Sequence, residues 1–414
     1  MDGFFGWMGL VSDPIDLSIV MPCLNEAETL ADCIEKAHLG IERCGVRGEI
    51  VIADNGSEDN SAQIAGRGGA RLVRVREKGY GNALRGGIQA ATGRWIVLGD
   101  ADGSYDFSEA NRLVEKFREG FELVMGCRLP SGGGKILPGA MPWKNRWLGN
   151  PLLSLIGQLF FKCPVHDFHC GLRGLTKAAF AKMDLKTTGM EFASEMVIKS
   201  TFERLKIAEV PITLHPAGRS RPSHLKPWRD GWRHLRFMLI YSPRWLFLVP
   251  GLLLSAAGLV LAIALSLDDM RLGQVVLSVG TLTMACVAIV FGFQLIAFAF
   301  FAKVFAITQG LLPEDPKFAR IFKLFTLEKG IVAGLLVLLG GAVLFLRAGW
   351  VWRVAGYGQL PYAENLRRLI PGATLMILGI QSIFSSFFMG VLRLKTVWRN
   401  PPGAPKASCD RNET

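Results

Sequence analysis

Four stretches in the second half of the chain, Trp245–Leu267, Leu272–Ala302, Gly330–Leu346 and Leu369–Leu392, contain no Asp, Glu, Lys or Arg. A helix needs about 20 apolar residues to cross a hydrocarbon core, because no water there satisfies the backbone. The first, second and fourth stretches are long enough. The third is short and must recruit its flanks, where Lys329 and Arg347 would snorkel. Residues 1–244 follow a different rhythm, in which short apolar runs alternate with amphipathic segments. Leu17–Met21, Glu49–Ala53, Arg71–Val75, Trp95–Gly99 and Leu123–Cys127 read as buried strands. Between them Glu26–Arg43, Asp59–Arg67 and Ala83–Ala91 read as helices, the first with Leu30, Cys33, Ile34 and Ala37 on one face. Such alternation predicts a parallel sheet with right-handed crossovers, and ligands in such sheets sit at the carboxyl ends of the strands.

A Gly/Pro loop, Pro130–Pro142, leads into an expected helix from Trp143 to about Phe161. Residues 226–243 set Trp228, Trp232, Leu235 and Leu239 against Arg229, Arg233 and Arg236. That pattern suits a helix lying in a membrane interface, with a soluble linker helix as the alternative.

At 414 residues and 50% hydrophobic, the chain is long enough for two domains, and its apolar excess lies in the second. The placement of its net charge of +12 orients it. Lys226, Arg229, Arg233, Arg236 and Arg244 precede the first span; Lys303, Lys317, Arg320, Lys323 and Lys329 lie between the second and third; Arg393, Lys395, Arg399, Lys406 and Arg411 follow the fourth. The positive-inside bias makes these sides cytoplasmic, although Arg347, Arg353, Arg367 and Arg368 dilute it. Basic residues gathered at the membrane ends favour anionic lipid over nucleic acid as a partner. MDGFFGWMGL lacks a basic n-region and is too short to span, so it does not read as a signal peptide. The eight scattered cysteines are expected to be free thiols. The expected organisation is an extension (1–14), an α/β domain (15–225), an interfacial segment (226–244), a transmembrane domain of about four helices (245–395) and a cytoplasmic tail (396–414).

The chemistry gathers at three strand ends: Pro22–Glu26, Asp54–Ser57 and Asp100–Ser104. Asp100-Ala101-Asp102 places two carboxylates at i and i+2 on a loop, where both can face one hard cation, Mg2+ or Mn2+, with a diphosphate supplying further oxygens. Gly79-Tyr80-Gly81, beside Lys78 and Arg76, would let backbone amides approach a phosphate. It lacks G-x-G-x-x-G spacing and follows the third strand, which argues against a hydride-transfer Rossmann enzyme. Cys163, His166, Asp167, His169 and Cys170 crowd into one stretch, whereas structural zinc sites draw ligand pairs from separated elements. No G-x-S-x-G elbow suggests a serine hydrolase.

Four ordered motifs, SIVMPCLNE (Ser18–Glu26), IADNGSEDNS (Ile52–Ser61), KGYGNALRGG (Lys78–Gly87) and VLGDADGS (Val97–Ser104), resemble the GT-A domain of family-2 inverting glycosyltransferases. The likeness, over roughly residues 15–225, is closer to the polyprenyl- and dolichyl-phosphate hexose synthases. It implies a Rossmann-like nucleotide-sugar-binding α/β domain, a UDP-glucose or GDP-mannose donor and an undecaprenyl or dolichyl phosphate acceptor. Pro22, Asn25 and Glu26 would line the nucleotide pocket with Gly79 and Gly81, Asp54 would meet the base, and Asp100 and Asp102 would hold the diphosphate through the metal. Ser104 stands where many relatives have Gln, which puts a third metal contact in doubt. Gly126-Cys127-Arg128 resembles a Gly-x-Arg whose arginine faces the lipid phosphate, and Arg146 with Asn150 resembles the pair completing that site. DFHCGLR (Asp167–Arg173) resembles an acceptor-loop segment, with Asp167 as base or orienting group. Gly218-Arg219-Ser220-Arg221 resembles a late Gly-x-Ser-Lys loop, also assigned to the acceptor phosphate. Glu191 and Glu195, four apart on an expected helix, suggest a sugar contact and a structural acid.

The expected protein is thus an integral membrane enzyme with its catalytic domain in the cytoplasm, as at a bacterial inner membrane; homo-oligomerisation stays open. Rival readings are transfer to a glycolipid hydroxyl, a processive polysaccharide synthase, and a membrane scaffold or transport protein with an inactive transferase domain. No Gln-x-x-Arg-Trp precedes the first span, which speaks against the processive reading.

Overall fold

The computed structural model describes residues 14–221, 227–309, 311–313, 326–358 and 362–393. Residues 1–13 of the N-terminal extension, the basic loop residues Lys317, Arg320 and Lys323, and the tail beyond Arg393 lie outside the described residues. The chain divides into two compact units, Met1–Ile240 and Tyr241–Thr414.

In the first unit, β1 (Leu17–Cys23), β2 (Gly48–Asp54), β3 (Arg71–Arg74), β4 (Trp95–Leu98) and β5 (Leu123–Cys127) form where the apolar runs predict them. Helices α1 (Leu30–Cys44), α2 (Ser61–Arg67), α3 (Tyr80–Ala90) and α4 (Ala110–Arg118) intervene. Leu30, Cys33, Ile34, Ala37, Gly40 and Cys44 recur every three or four residues of α1 and form its buried face. Gly45, at φ 59°, ends α1 in the left-handed conformation that glycine adopts without a Cβ penalty. A short ribbon strand β6 (Lys135–Ile136) precedes α5 (Asn150–Phe161), which is entered through a π-helical turn at Asn145–Gly149. Strand β7 (Arg173–Thr176), α6 (Lys177–Met183), α7 (Phe192–Phe202), β8 (Ile207–Pro211), β9 (Thr213–Leu214) and α8 (Pro227–Ile240) follow.

The main sheet has the order β3-β2-β1-β4-β7-β5-β8, with β6 and β9 as a separate two-stranded ribbon. Strand β1 lies parallel to both β2 and β4. The five strands expected from the apolar runs point the same way, and a strand the sequence does not announce, β7, is inserted antiparallel between β4 and β5. Its sequence, Arg-Gly-Leu-Thr, carries a charge and a glycine and makes no apolar run, although Arg173 is buried.

In the second unit a π-helical turn, Arg244–Leu248, opens onto α9 (Val249–Leu267). A hairpin, β10 (Met270–Leu272) and β11 (Val275–Leu277), comes next, then α10 (Val279–Thr308), α11 (Leu327–Val354) and α12 (Tyr362–Arg393). Among the described residues four helices are long and apolar enough to cross a membrane: Arg244–Leu267, Val279–Thr308, Leu327–Val354 and Ala363–Leu392. The second begins later than its charge-free stretch, because the turn at Gly273 (φ 62°) folds that end into the hairpin. The third, short as an uncharged stretch, extends past Lys329 and Arg347 to ample length. Helices α11 and α12 pack through glycines: a Cβ on Gly334 would lie 2.8 Å from the Gly379 carbonyl oxygen, and one on Gly341 2.7 Å from that of Gly372.

Candidate active site

The strand ends of the first unit enclose a cavity of about 720 Å3. Pro22 and Glu26 from the end of β1, Asn55 from β2, and Asp100 and Asp102 from β4 line it, together with Lys78, Gly79 and Tyr80. Asn55 organises this wall. Its side chain donates to the carbonyls of Val75 (3.1 Å) and Glu77 (2.8 Å) and accepts from the Gly79 amide (2.8 Å), while the Lys78 ammonium donates to its carbonyl (2.8 Å). Asp54 and Asn25 shape the rim instead. Asp54 Oδ1 accepts from the Ser57 amide at 3.0 Å, and Asn25, at φ 59°, accepts from the Glu58 amide at 2.7 Å.

The expected use of Gly79 and Gly81 as phosphate-binding amides is corrected by their partners. The Gly79 amide donates to Asn55, and the Gly81 amide donates to the Thr188 carbonyl at 3.0 Å. Gly79 holds φ 132°, and a Cβ there would lie 2.4 Å from the Thr188 oxygen. The glycines thus serve the close approach of residues 187–189 to the start of α3.

Asp100 and Asp102 both line the cavity. Asp100 Oδ1 accepts from the Tyr80 hydroxyl at 2.9 Å, and Asp102 Oδ2 pairs with Arg219 at 3.1 Å. Burial and then the neighbouring Asp102 charge push the Asp100 carboxyl up to about 6. Crowded carboxylates of this kind fit a hard divalent cation, whose charge would relieve their repulsion. No group of three His, Cys, Asp or Glu side chains suited to a metal occurs among the described residues, so a cation there would need oxygens from a bound ligand. The Cys163–Cys170 stretch makes no such group either: His166 pairs with Glu209 at 2.7 Å, and the Cys170 thiol donates to the Leu172 carbonyl.

Arg219, Ser220 and Arg221, expected at an acceptor phosphate, are bound to the donor-side rim. Arg219 bridges Glu26 (2.9 Å) and Asp102, Arg221 reaches Glu26 (2.6 Å) and the Leu24 carbonyl (2.8 Å), and Ser220 donates through its amide and hydroxyl to Glu28. Acidic neighbours supplied by the β1 loop and Asp102 draw this arginine-rich turn across the chain.

Arg128, expected at the acceptor phosphate, and Asp167, expected as base or orienting group, are bound to each other. Asp167 is fully buried, and its oxygens accept from Arg128 Nε (2.7 Å), Nη2 (2.8 Å) and the Arg128 amide (3.0 Å). Both carboxylate oxygens are thus engaged by one guanidinium, and Arg128 is not among the residues lining the cavity. Arg146 and Asn150 also lie away from the cavity lining: Arg146 stands over the Trp147 ring at 5.3 Å, and Asn150 donates to Met141 Sδ at 3.2 Å. Glu191, just before α7, keeps a buried Oε2 with no protein partner. Glu195 is fully buried and accepts from the Lys186 and Thr187 amides beside Lys199.

Sequence reasoning missed Tyr80, Thr188, Met190 and Asp230 as cavity residues. It also missed a pair of histidines, half-buried His169 and buried His234, whose rings stand 4.4 Å apart with the Ser194 hydroxyl between them (2.8 Å to His234 Nδ1, 3.3 Å to His169 Nε2). Burial lowers both; His234 falls to about 4, with Asp230 and Glu191 opposing that shift and Arg173 and Arg233 adding to it. A histidine depressed in the folded state leaves stability intact above its unfolded value, and stability falls as the unfolded chain takes up protons first. The first unit is therefore expected to lose stability as pH drops from about 6.5 towards about 4. Thermal unfolding of His234→Gln across that window should show a flatter pH profile than the unaltered chain.

Residues 18–183 match the family profile Glycosyl transferase family 2, and residues 300–393 match Glycosyltransferase family 2 C-terminal transmembrane region. The low-salt glycan biosynthesis hexosyltransferase Agl6 of Haloferax volcanii is 37% identical over 384 residues, 91% of this chain and 89% of that protein. A dolichyl-phosphate hexose transferase of the same organism is 27% identical over 218 residues, 52% of this chain and 89% of that protein. Among solved structures, glucosyl-3-phosphoglycerate synthase from Mycobacterium tuberculosis superimposes with a TM-score of 0.42 at 21% identity, covering 55% of this chain and 78% of that one. With a near full-length relative, a strand-end cavity built around Asp-Ala-Asp, and four helices fit to span a membrane, the chain belongs to glycosyltransferase family 2 and is an integral membrane enzyme of the GT-A fold.

Proposed function

We propose that this enzyme moves one hexose from a nucleoside-diphosphate sugar to a polyprenyl phosphate at the cytoplasmic face of the membrane. The observation that carries the reading is the composition of one cavity wall. The same cavity is lined by the Asp100–Asp102 pair and by α8, the amphipathic helix whose chain runs on through Tyr241-Ser242-Pro243 into the first apolar helix. A donor at the strand ends would then meet an acceptor that never leaves the lipid surface. The dolichyl-phosphate hexose transferase among the relatives supports an acceptor of this class.

An acceptor phosphate is already anionic near neutral pH. Its oxygen attacks the anomeric carbon, the bond from that carbon to the diphosphate breaks, and in-line displacement inverts the centre. No proton has to be removed, which agrees with Asp167 being committed to Arg128. A hydroxyl acceptor would need a base. Asp100 and Asp102 would hold a divalent cation, which when bound supplies positive charge to the departing diphosphate. Lys78 and Arg219 border the same space and add fixed cations beside the leaving group. Glu191, with its buried, unmet oxygen, remains the candidate for a sugar hydroxyl.

The test is a panel of labelled UDP- and GDP-hexoses, UDP-glucose and GDP-mannose first, offered to membranes containing the chain with either undecaprenyl phosphate or the unphosphorylated polyprenol. Label is expected in the lipid phase only with the phosphate. Equal labelling of the polyprenol, or none with either acceptor, would overturn the proposal.

A further inference from the structure

The acceptor-side wall of the cavity raises a question that Arg128 and Arg146 do not answer, since neither lines it. Helix α8 does, through Arg229, Asp230 and Arg233. Its buried face is Asp230, His234 and Met238, residues one helical turn apart that are 3%, 7% and 0% exposed. His234 is tied by the Ser194 hydroxyl to α7, so the rotation of α8 about its axis is set. That rotation carries Arg229 and Arg233, four residues apart, onto one edge of the cavity. Both guanidinium groups flank the Asp230 carboxylate, at 3.5 Å and 3.9 Å, yet keep 58% and 42% of their side chains exposed. Two cations around one carboxylate leave a net positive charge, and arginine retains donors for a second anion after pairing with a first.

Next to them on the helix surface, Trp228 and Trp232 are 88% and 58% exposed. Exposed tryptophans on a basic amphipathic helix suit the layer between headgroups and acyl chains. An anion held by the arginines therefore has the donor cavity on one side and an apolar surface for its chain on the other.

We propose that Arg229 and Arg233 form the clamp for the acceptor's phosphate monoester, with Asp230 positioning the two guanidinium groups. This rests on the polyprenyl phosphate reading above. Bulk anionic headgroups carry the same chemistry, so the test must separate the two sources.

The full chain in phosphatidylcholine nanodiscs is assayed with undecaprenyl phosphate and the donor that labels lipid best, while nucleoside diphosphate affinity is measured separately. Arg229→Gln and Arg233→Gln are each expected to raise the acceptor KM by roughly tenfold, and the double variant by more, as expected for losing charge-assisted hydrogen bonds. Nucleoside diphosphate affinity should stay as in the unaltered chain, the double Gln variant being assayed well below its thermal midpoint because it takes two guanidinium groups from the buried Asp230 carboxylate, and the double Arg→Lys variant should recover part of the loss. An acceptor KM unmoved in the double Gln variant overturns the clamp, as does a parallel fall in nucleotide affinity. In a second arm half of the phosphatidylcholine is replaced by phosphatidylglycerol. Little change in the acceptor KM is expected; competition by phosphatidylglycerol in the unaltered chain that the double Gln variant lacks would make bulk headgroups the ligand and overturn the proposal. An unaltered chain that moves no sugar to undecaprenyl phosphate overturns the clamp together with the acceptor reading, whereas turnover with an unmoved variant KM overturns the clamp alone.

Discussion

Asp102→Ala is expected to lower sugar transfer by roughly 10^3-fold, the loss of about 4 kcal/mol of stabilisation of the leaving diphosphate. Asp102 is one of two carboxylates on the cavity wall, and its neighbour Asp100 is already held up to about 6 by burial and by the Asp102 charge. Removing one carboxylate leaves too few protein oxygens to hold a cation. It also removes the 3.1 Å partner of Arg219 on this loop while the bond of Arg219 to Glu26 remains. Binding of nucleoside diphosphate, followed without turnover, gives a second readout. It should depend on Mg2+ or Mn2+ in the unaltered chain and lose that dependence in Asp102→Ala. Turnover at the original rate in this variant would remove the metal reading and, with it, the role given to the Asp-Ala-Asp loop.

Asp167→Asn is expected to act on stability rather than on chemistry. Three hydrogen bonds of 2.7 to 3.0 Å join Asp167 to Arg128, and both residues are nearly or fully buried. Neutralising the carboxylate strands a buried guanidinium, a change that costs about 3–5 kcal/mol. For a unit of this size the midpoint of thermal unfolding should fall by roughly 10 °C. Replacing both partners by leucine should recover much of the loss, because no lone charge is then left behind. Turnover measured well below the midpoint should stay near that of the unaltered chain. A variant that melts normally but has lost turnover would instead restore Asp167 as a catalytic base.

Much of this was legible along the chain because it is local. Five apolar runs became five strands, and the turns that follow β1, β2 and β4 meet at one cavity, because parallel strands align their carboxyl ends. The charge-free stretches likewise became four long helices. What escaped depends on partners far apart in sequence. Arg219 reaches Glu26 across 193 residues, and no spacing rule announces such a pair. Gly79 and Gly81 read as phosphate-binding because glycines before a helix often are, yet the Thr188 carbonyl occupies that approach. Strand β7 hid because its burial comes from its place between β4 and β5, not from its composition. On α8 the charge pattern points to a membrane surface and says nothing of the cavity, which the helix lines through Arg229, Asp230 and Arg233.

The central claim is a single transfer onto a lipid phosphate, and the mass of the lipid product tests it most directly. Purified enzyme with one nucleotide sugar and undecaprenyl phosphate should yield a lipid heavier than the acceptor by one hexose, with the configuration at the anomeric carbon inverted relative to the donor. A ladder of hexose additions, or sugar found only on a hydroxyl-bearing lipid, would contradict the account.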